Sequence, residues 1–187
     1  FLTHDGQQYL KLMFIASIPL PIIGLIFIDY ISLYLRNMQS IAVMTILFAL
    51  ILYFVDKNRK ERENILNVSL TTIIFIGLMQ TLAIIPGVSR AGIVITAALI
   101  VGFNRNDSIK ISFLLSIPAI LMASIYQMTQ LLDTNDIILL REYLLGFMFS
   151  FIFSYLTIRL FISTINRITF SPYIIYRIIL GTFLLTV

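Results

Sequence analysis

Between residues 84 and 92 the chain reads IIPGVSRAG, which sets a serine and an arginine just after a Pro-Gly pair inside apolar sequence. Pro86 supplies no backbone N–H and disrupts a helix there, and Ser89 is a residue type that caps the start of the next one. Arg90 therefore falls at a helix N-terminus, where free N–H groups and the positive end of the helix dipole attract anions. Its guanidinium adds a planar fork suited to phosphate, and Gly87 and Gly92 let backbone approach closely. The chemistry that suits this pattern is phosphate binding in a membrane-embedded pocket, led by Ser89 and Arg90. An arginine in such a place also serves structural ends, satisfied by carbonyls or by a carboxylate of another helix. The residues alone leave both readings open.

Other polar residues in apolar surroundings are candidates of lower rank. Gln80, ten positions before Arg90, either steadies the local fold or touches substrate. Thr96 either contributes a hydroxyl to the pocket or bonds back to its own helix. Arg177 is a second cation in apolar sequence, flanked by Tyr173 and Tyr176, and snorkelling to an interface competes with a site role. None of the nine acidic residues falls at the centre of an apolar run. Phosphoryl hydrolysis needs metal-holding carboxylates, a general base or an activated nucleophile. The tip thus offers an anion site without a complete catalytic set. His4 lies in a polar stretch and reads as solvated. The chain has no cysteine, so neither disulfides nor thiolate metal sites arise.

The elements that must position these residues are membrane helices. Of 187 residues, 59% are hydrophobic and 12% charged, against about 25% charged in soluble domains. The net charge of +4 is scattered and forms no basic stripe, which argues against nucleic acid. Runs 12–28, 37–55, 111–132, 143–165 (across Arg159) and 168–187 (across Arg177) are long enough to predict five spans. Residues 64–104 behave differently, because a helix over Ala91–Phe103 would reach only about 20 Å of a roughly 30 Å hydrocarbon core. The segment 64–104 is expected to be a re-entrant hairpin with its tip at Pro86–Ser89, which implies a polar cavity or a protein-lined site at that depth. Placing KNRKERE (57–63) in the cytoplasm puts nine of the 13 basic residues inside: Lys11, Lys57, Arg59, Lys60, Arg62, Arg105, Lys110, Arg159 and Arg167. Only Arg36 and Arg141 fall outside, as the positive-inside rule requires. FIASIP (14–19) and FLLSIP (113–118) read as two proline-kinked spans rather than as a repeat.

With those residues in view, GLMQTLAIIPGVSRAG (77–92) closely resembles the PGxSRSG segment of the bacterial undecaprenyl-diphosphate phosphatases, the bacitracin-resistance membrane phosphatase family. The likeness continues through ISFLLSIPAI (111–120) and FSPYIIYRIILG (170–181), in the family's order and spacing, and extends over essentially the whole chain. The resemblance implies an all-α, polytopic membrane bundle of about five spans plus the hairpin, part of an inverted-repeat fold in the bacterial inner membrane. It implies one membrane domain, 1–187, with 1–55 ending a first repeat and 64–187 forming a second. The implied activity is hydrolysis of undecaprenyl diphosphate to the monophosphate, with Ser89 and Arg90 binding the diphosphate and Ser89 as candidate nucleophile. Gly87, Gly92, Gln80 and Thr96 would complete the substrate site. A divalent cation, Mg or Ca, is expected, with ligands outside this chain. Expected partners are the substrate and membrane lipids, a homo-oligomer being allowed and nucleic acid not. Two positions depart from the pattern: Ala91 and Val94 stand where the family has hydroxyl residues, Thr96 being the nearest substitute. The family's glutamate-rich first-repeat motif has no counterpart, so the chain is expected to be the later two-thirds of such an enzyme and inactive alone. A lipid-phosphate transporter using the same broken-helix anion site is the alternative.

Overall fold

A computed structural model describes residues 4–61, 69–132, 137–165 and 169–186. The start of the expected hairpin (64–68), Arg62, Glu63, Asp133, Asp136 and Arg167 lie outside the described residues. The elements, all helical, are α1 (His4–Ser17), α2 (Pro19–Tyr34), α3 (Met38–Asn58), α4 (Leu70–Gln80), α5 (Arg90–Val101), α6 (Arg105–Leu132), α7 (Ile137–Ile165) and α8 (Ser171–Thr186), with a 3₁₀ turn (Thr81–Ile84) extending α4. Three of them are long and apolar enough to cross a membrane, over Met38–Asn58, Arg105–Thr129 and Arg141–Leu160.

Runs 12–28 and 168–187 fall on shorter apolar helices, Lys11–Phe27 and Ser171–Thr186. The run 12–28 is interrupted between α1 and α2 because Pro19 and Pro21 supply no N–H to the carbonyls four residues back. The Ile15 carbonyl accepts instead from the Ile18 N–H at 3.2 Å, a single tighter turn in backbone that stays helical at Ile18, φ −59° and ψ −42°. A single proline does less, for Pro118 lies inside an unbroken α6. The last run holds α8, with 16 described residues over Ser171–Thr186.

The chain divides into two compact units, residues 1–120 with 170–187, and residues 121–169. The first is built on stripes at three- and four-residue spacing, as helical periodicity requires. Helix α3 buries Ala42, Thr45, Ala49, Leu52 and Asp56; α4 buries Ile73, Ile76, Gly77 and Gln80. Helix α5 is enclosed from Gly92 through Leu99 and forms the centre of the unit. Small residues let backbones meet, as in membrane helix packing. A Cβ on Gly181 of α8 would stand 3.0 Å from the Ala42 carbonyl oxygen, and one on Gly77 would collide with the Ala16 backbone. Asn37, Ser69 and Ser89 cap α3, α4 and α5, each accepting a backbone N–H three residues on. At the far end of α5 from the tip, Asp56 of α3 accepts from Arg105 Nε at 2.7 Å and Nη2 at 2.8 Å. In the second unit, the α7 side chains from 141 to 160 are exposed all round. A helix apolar on every side suits lipid rather than water.

Candidate functional site

The tip between α4 and α5 is a turn followed at once by a capped helix. The Val88 N–H bonds the Ile85 carbonyl at 3.2 Å, with Pro86 and Gly87 between them and Gly87 at φ 93°. Proline at the second position and a positive-φ glycine at the third are the requirements of a type II turn. Ser89 then takes φ 69° and ψ 113°, and it is the one non-glycine residue with positive φ among the described residues. Such backbone costs of order 1–3 kcal/mol and persists only where the surroundings enforce it. Part of the enforcement is the cap itself, since Ser89 Oγ accepts from the Gly92 N–H at 3.2 Å and the Ser89 carbonyl takes the Ile93 N–H at 3.0 Å.

The rest comes from neighbouring helices. Gly87 lies against α3, where a Cβ would stand 2.5 Å from the Ile41 carbonyl oxygen and 3.0 Å from Thr45 Oγ1. From α8, the Tyr173 hydroxyl is 2.8 Å from Ser89 Oγ, and Arg177 Nη2 donates to the Gly87 carbonyl. The Arg177 guanidinium lies 5.7 Å from the centre of the Tyr173 ring. Arg177 is 4% exposed, so it does not snorkel, and its Nη1 is buried without a partner among the described residues. That nitrogen and Ser89 Oγ border the same small space, 3.1 and 3.3 Å from where a Cβ on Gly92 would sit.

The expected site residues therefore fall into groups. Gly87, Ser89, Arg90 and Gly92 are contiguous at the tip, Ser89 capping α5 as its type suggested. Arg90 is half-buried at the first position of α5, and its guanidinium has no hydrogen-bond or ion-pair partner among the described residues. Gln80 ends α4, fully buried, with neither atom of its carboxamide partnered among the described residues. Thr96 is one turn further along α5 and donates to the Gly92 carbonyl at 2.7 Å, bonding back to its own helix. Of the two departures from the family pattern, Val94 is core and Ala91 is exposed. Sequence reasoning gave Arg177 a minor place and Tyr173 only that of its neighbour. The signal available was their spacing of four, which puts both on one face of α8.

No group of three or more His, Asp or Glu that could hold a metal ion occurs among the described residues. The two buried carboxylates among the described residues are committed elsewhere, Asp56 to Arg105 and Asp107 to Asn104 and Lys110. What the tip can do chemically is hold an anion with a guanidinium and a helix N-terminus, beside a hydroxyl kept in a defined orientation.

The family described as "Bacitracin resistance protein BacA" matches residues 2–183. The Undecaprenyl-diphosphatase of Pelagibacter ubique (strain HTCC1062) is 42% identical over 187 residues, covering 97% of this chain and 71% of that protein. That of Saccharophagus degradans (strain 2-40 / ATCC 43961 / DSM 17024) is 40% identical over 167 residues, 89% of this chain and 63% of the relative. That of Aliivibrio salmonicida (strain LFI1238) is 40% identical over 183 residues, 97% of this chain and 68% of the relative. The chain thus spans between 63% and 71% of the length of these relatives. A match running from residue 2 to residue 183, through the tip and the α8 face that grips it, means that the chain belongs to the BacA bacitracin resistance protein family.

Proposed function

We propose that this chain supplies the arginine-bearing phosphate site of an undecaprenyl diphosphate phosphatase. Such an enzyme hydrolyses undecaprenyl diphosphate to undecaprenyl phosphate and phosphate, recycling the lipid carrier of cell-wall synthesis. The observation that carries the reading is Arg90, a half-buried guanidinium at a helix N-terminus that no described residue neutralises. A structural arginine would be bonded to carbonyls or a carboxylate. The relatives named above are diphosphatases, and none of them is named for transport.

In this reading the diphosphate lies at the start of α5, held by the Arg90 fork and the free N–H groups of the first turn. Gly87 and Gly92 keep the approach open, Gln80 offers an unpartnered carboxamide, and Thr96 enters as the support of the Gly92 carbonyl. Ser89 is the candidate nucleophile: its oxygen attacks the terminal phosphorus, the lipid monophosphate leaves, and water cleaves the phosphoserine to free phosphate. The serine proton needs a base, and the described partners of Ser89, the Gly92 N–H and the Tyr173 hydroxyl, are not one. The described residues do not fit a divalent cation either. The reading places the ligands of a Mg or Ca ion outside this chain.

The membrane arrangement belongs to the same proposal. The arms reach about 25 Å for α4 with its 3₁₀ turn and about 18 Å for α5, less than the roughly 30 Å hydrocarbon core. The Asp56–Arg105 pair ties the helix before the hairpin to the helix after it, at one end. Both support a re-entrant hairpin whose arms enter and leave on one side, in a multi-pass protein of the bacterial inner membrane. Residues 1–55 then close a first repeat and 64–187 form a second, with lipids, and allowably a second copy, as neighbours.

The test is Arg90→Lys in proteoliposomes, with the first-repeat segment of the Pelagibacter ubique relative supplied alongside the chain, reading phosphate release from undecaprenyl diphosphate. Lysine keeps the charge and loses the fork. The expected loss is about 100-fold, roughly 2.7 kcal/mol of transition-state stabilisation. Activity within a few-fold of the parent would return Arg90 to a structural role.

A further inference from the structure

We infer that Tyr173 and Arg177 of α8 are positioning residues for Ser89, gripping the tip through its hydroxyl and its backbone at once. The inference rests on the reading of the tip as the diphosphate site and adds to it the elements that hold the tip ready.

Two contacts from one helix face converge on Gly87 and Ser89. The Tyr173 hydroxyl reaches Ser89 Oγ at 2.8 Å, and Arg177 Nη2 takes the Gly87 carbonyl. The two are spaced i, i+4 and stacked, the guanidinium standing 5.7 Å from the ring centre, so each limits the other's movement. What they grip is strained at Ser89, a non-glycine residue at φ 69°, next to a turn whose φ of 93° only glycine takes readily, at Gly87. The cap holds part of that conformation at Ser89, and the external bonds hold the rest. A serine cap alone would satisfy the Gly92 N–H, and caps of that kind ordinarily form with extended backbone. Ser69 caps α4 at φ −75° and Asn37 caps α3 at φ −97°. Ser89 departs from both, and it alone of the three is held by a helix more than 80 positions away. Arg177 is also buried far beyond what packing a cation in apolar surroundings favours, with Nη1 left unpartnered beside Gly92. A purely structural arginine would have both ends of its fork satisfied.

The chain has no cysteine, so Ser89→Cys creates a single thiol at the tip. The measurement is its rate of alkylation by iodoacetamide against pH, with the chain in lipid nanodiscs. A hydroxyl donating to the thiolate stabilises it, and Tyr173→Phe in the Ser89→Cys background removes only that hydroxyl. The pH midpoint should rise by about one unit, a roughly tenfold fall in thiolate below the midpoint. Arg177→Lys, which loses the fork to the Gly87 carbonyl, should shift it in the same direction by less. Unfolding would expose the thiol and speed labelling at every pH, the opposite sign, and would count against a positioning role. Profiles of both variants that coincide with the parent would overturn the inference. Inorganic diphosphate added to the Ser89→Cys parent tests the site separately. If it gives no protection, the anion-site reading fails, while the pH midpoints still decide whether α8 sets the state of residue 89.

Discussion

Gly87→Ala isolates what the tip demands of its backbone. Alanine at φ 93° pays the left-handed penalty, roughly 1–2 kcal/mol for an L-residue. Its Cβ would also stand 2.5 Å from the Ile41 carbonyl oxygen and 3.2 Å from Met44 Cβ. Those atoms belong to α3, which is fixed by its contacts with α8 and α5, so the collision cannot be relieved by turning a flexible side chain. Overpacking of that kind costs about 1–3 kcal/mol, and the two effects together come to about 2–5 kcal/mol. For a chain of this length each kcal/mol lowers the unfolding midpoint by about 2–4 °C. The readout is loss of helical circular dichroism on heating in nanodiscs, and a fall of at least about 4 °C is expected. Gly146→Ala is the internal control, because nothing stands within 4 Å of its Cβ position and its φ is ordinary. That variant should be neutral or stabilised by up to about 1 kcal/mol, as alanine outranks glycine in a helix. Equal midpoints for the two variants would refute the turn geometry and the seating of the tip against α3.

Two other outcomes are expected. Asp56→Asn should cost about 2–3 kcal/mol in the same melting assay, at the low end of breaking a buried pair because the Arg105 side chain is 25% exposed; an unchanged midpoint would show that the pair contributes nothing. Single cysteines at Ser69 and Asn104 should label with an impermeant maleimide from the same face of the membrane, and labelling from opposite faces would make the hairpin a full crossing.

Local chemistry was legible in the sequence. Missing N–H groups at Pro86, a glycine where the turn needs positive φ, and a serine that caps α5 act within four residues of themselves, so the sequence states them outright. Lipid-facing composition is likewise additive along the chain, and it marked the apolar helices. The same rules hid one break: FIASIP and FLLSIP look alike, yet only the first is followed by a second proline, at Pro21, and only there does the helix stop. What tertiary structure alone decided are pairings across long separations. Tyr173 reaches Ser89 over 84 positions, Arg177 reaches Gly87 over 90, and Arg105 reaches Asp56 over 49. No periodicity encodes those distances, because they depend on where whole helices pack and on small residues, Ala42 against Gly181 among them, letting α3 and α8 approach. Arg177 shows the consequence. Its sequence neighbourhood permits both snorkelling and a place at the site, and it was the packing of α8 against α3 that buried it beside the tip.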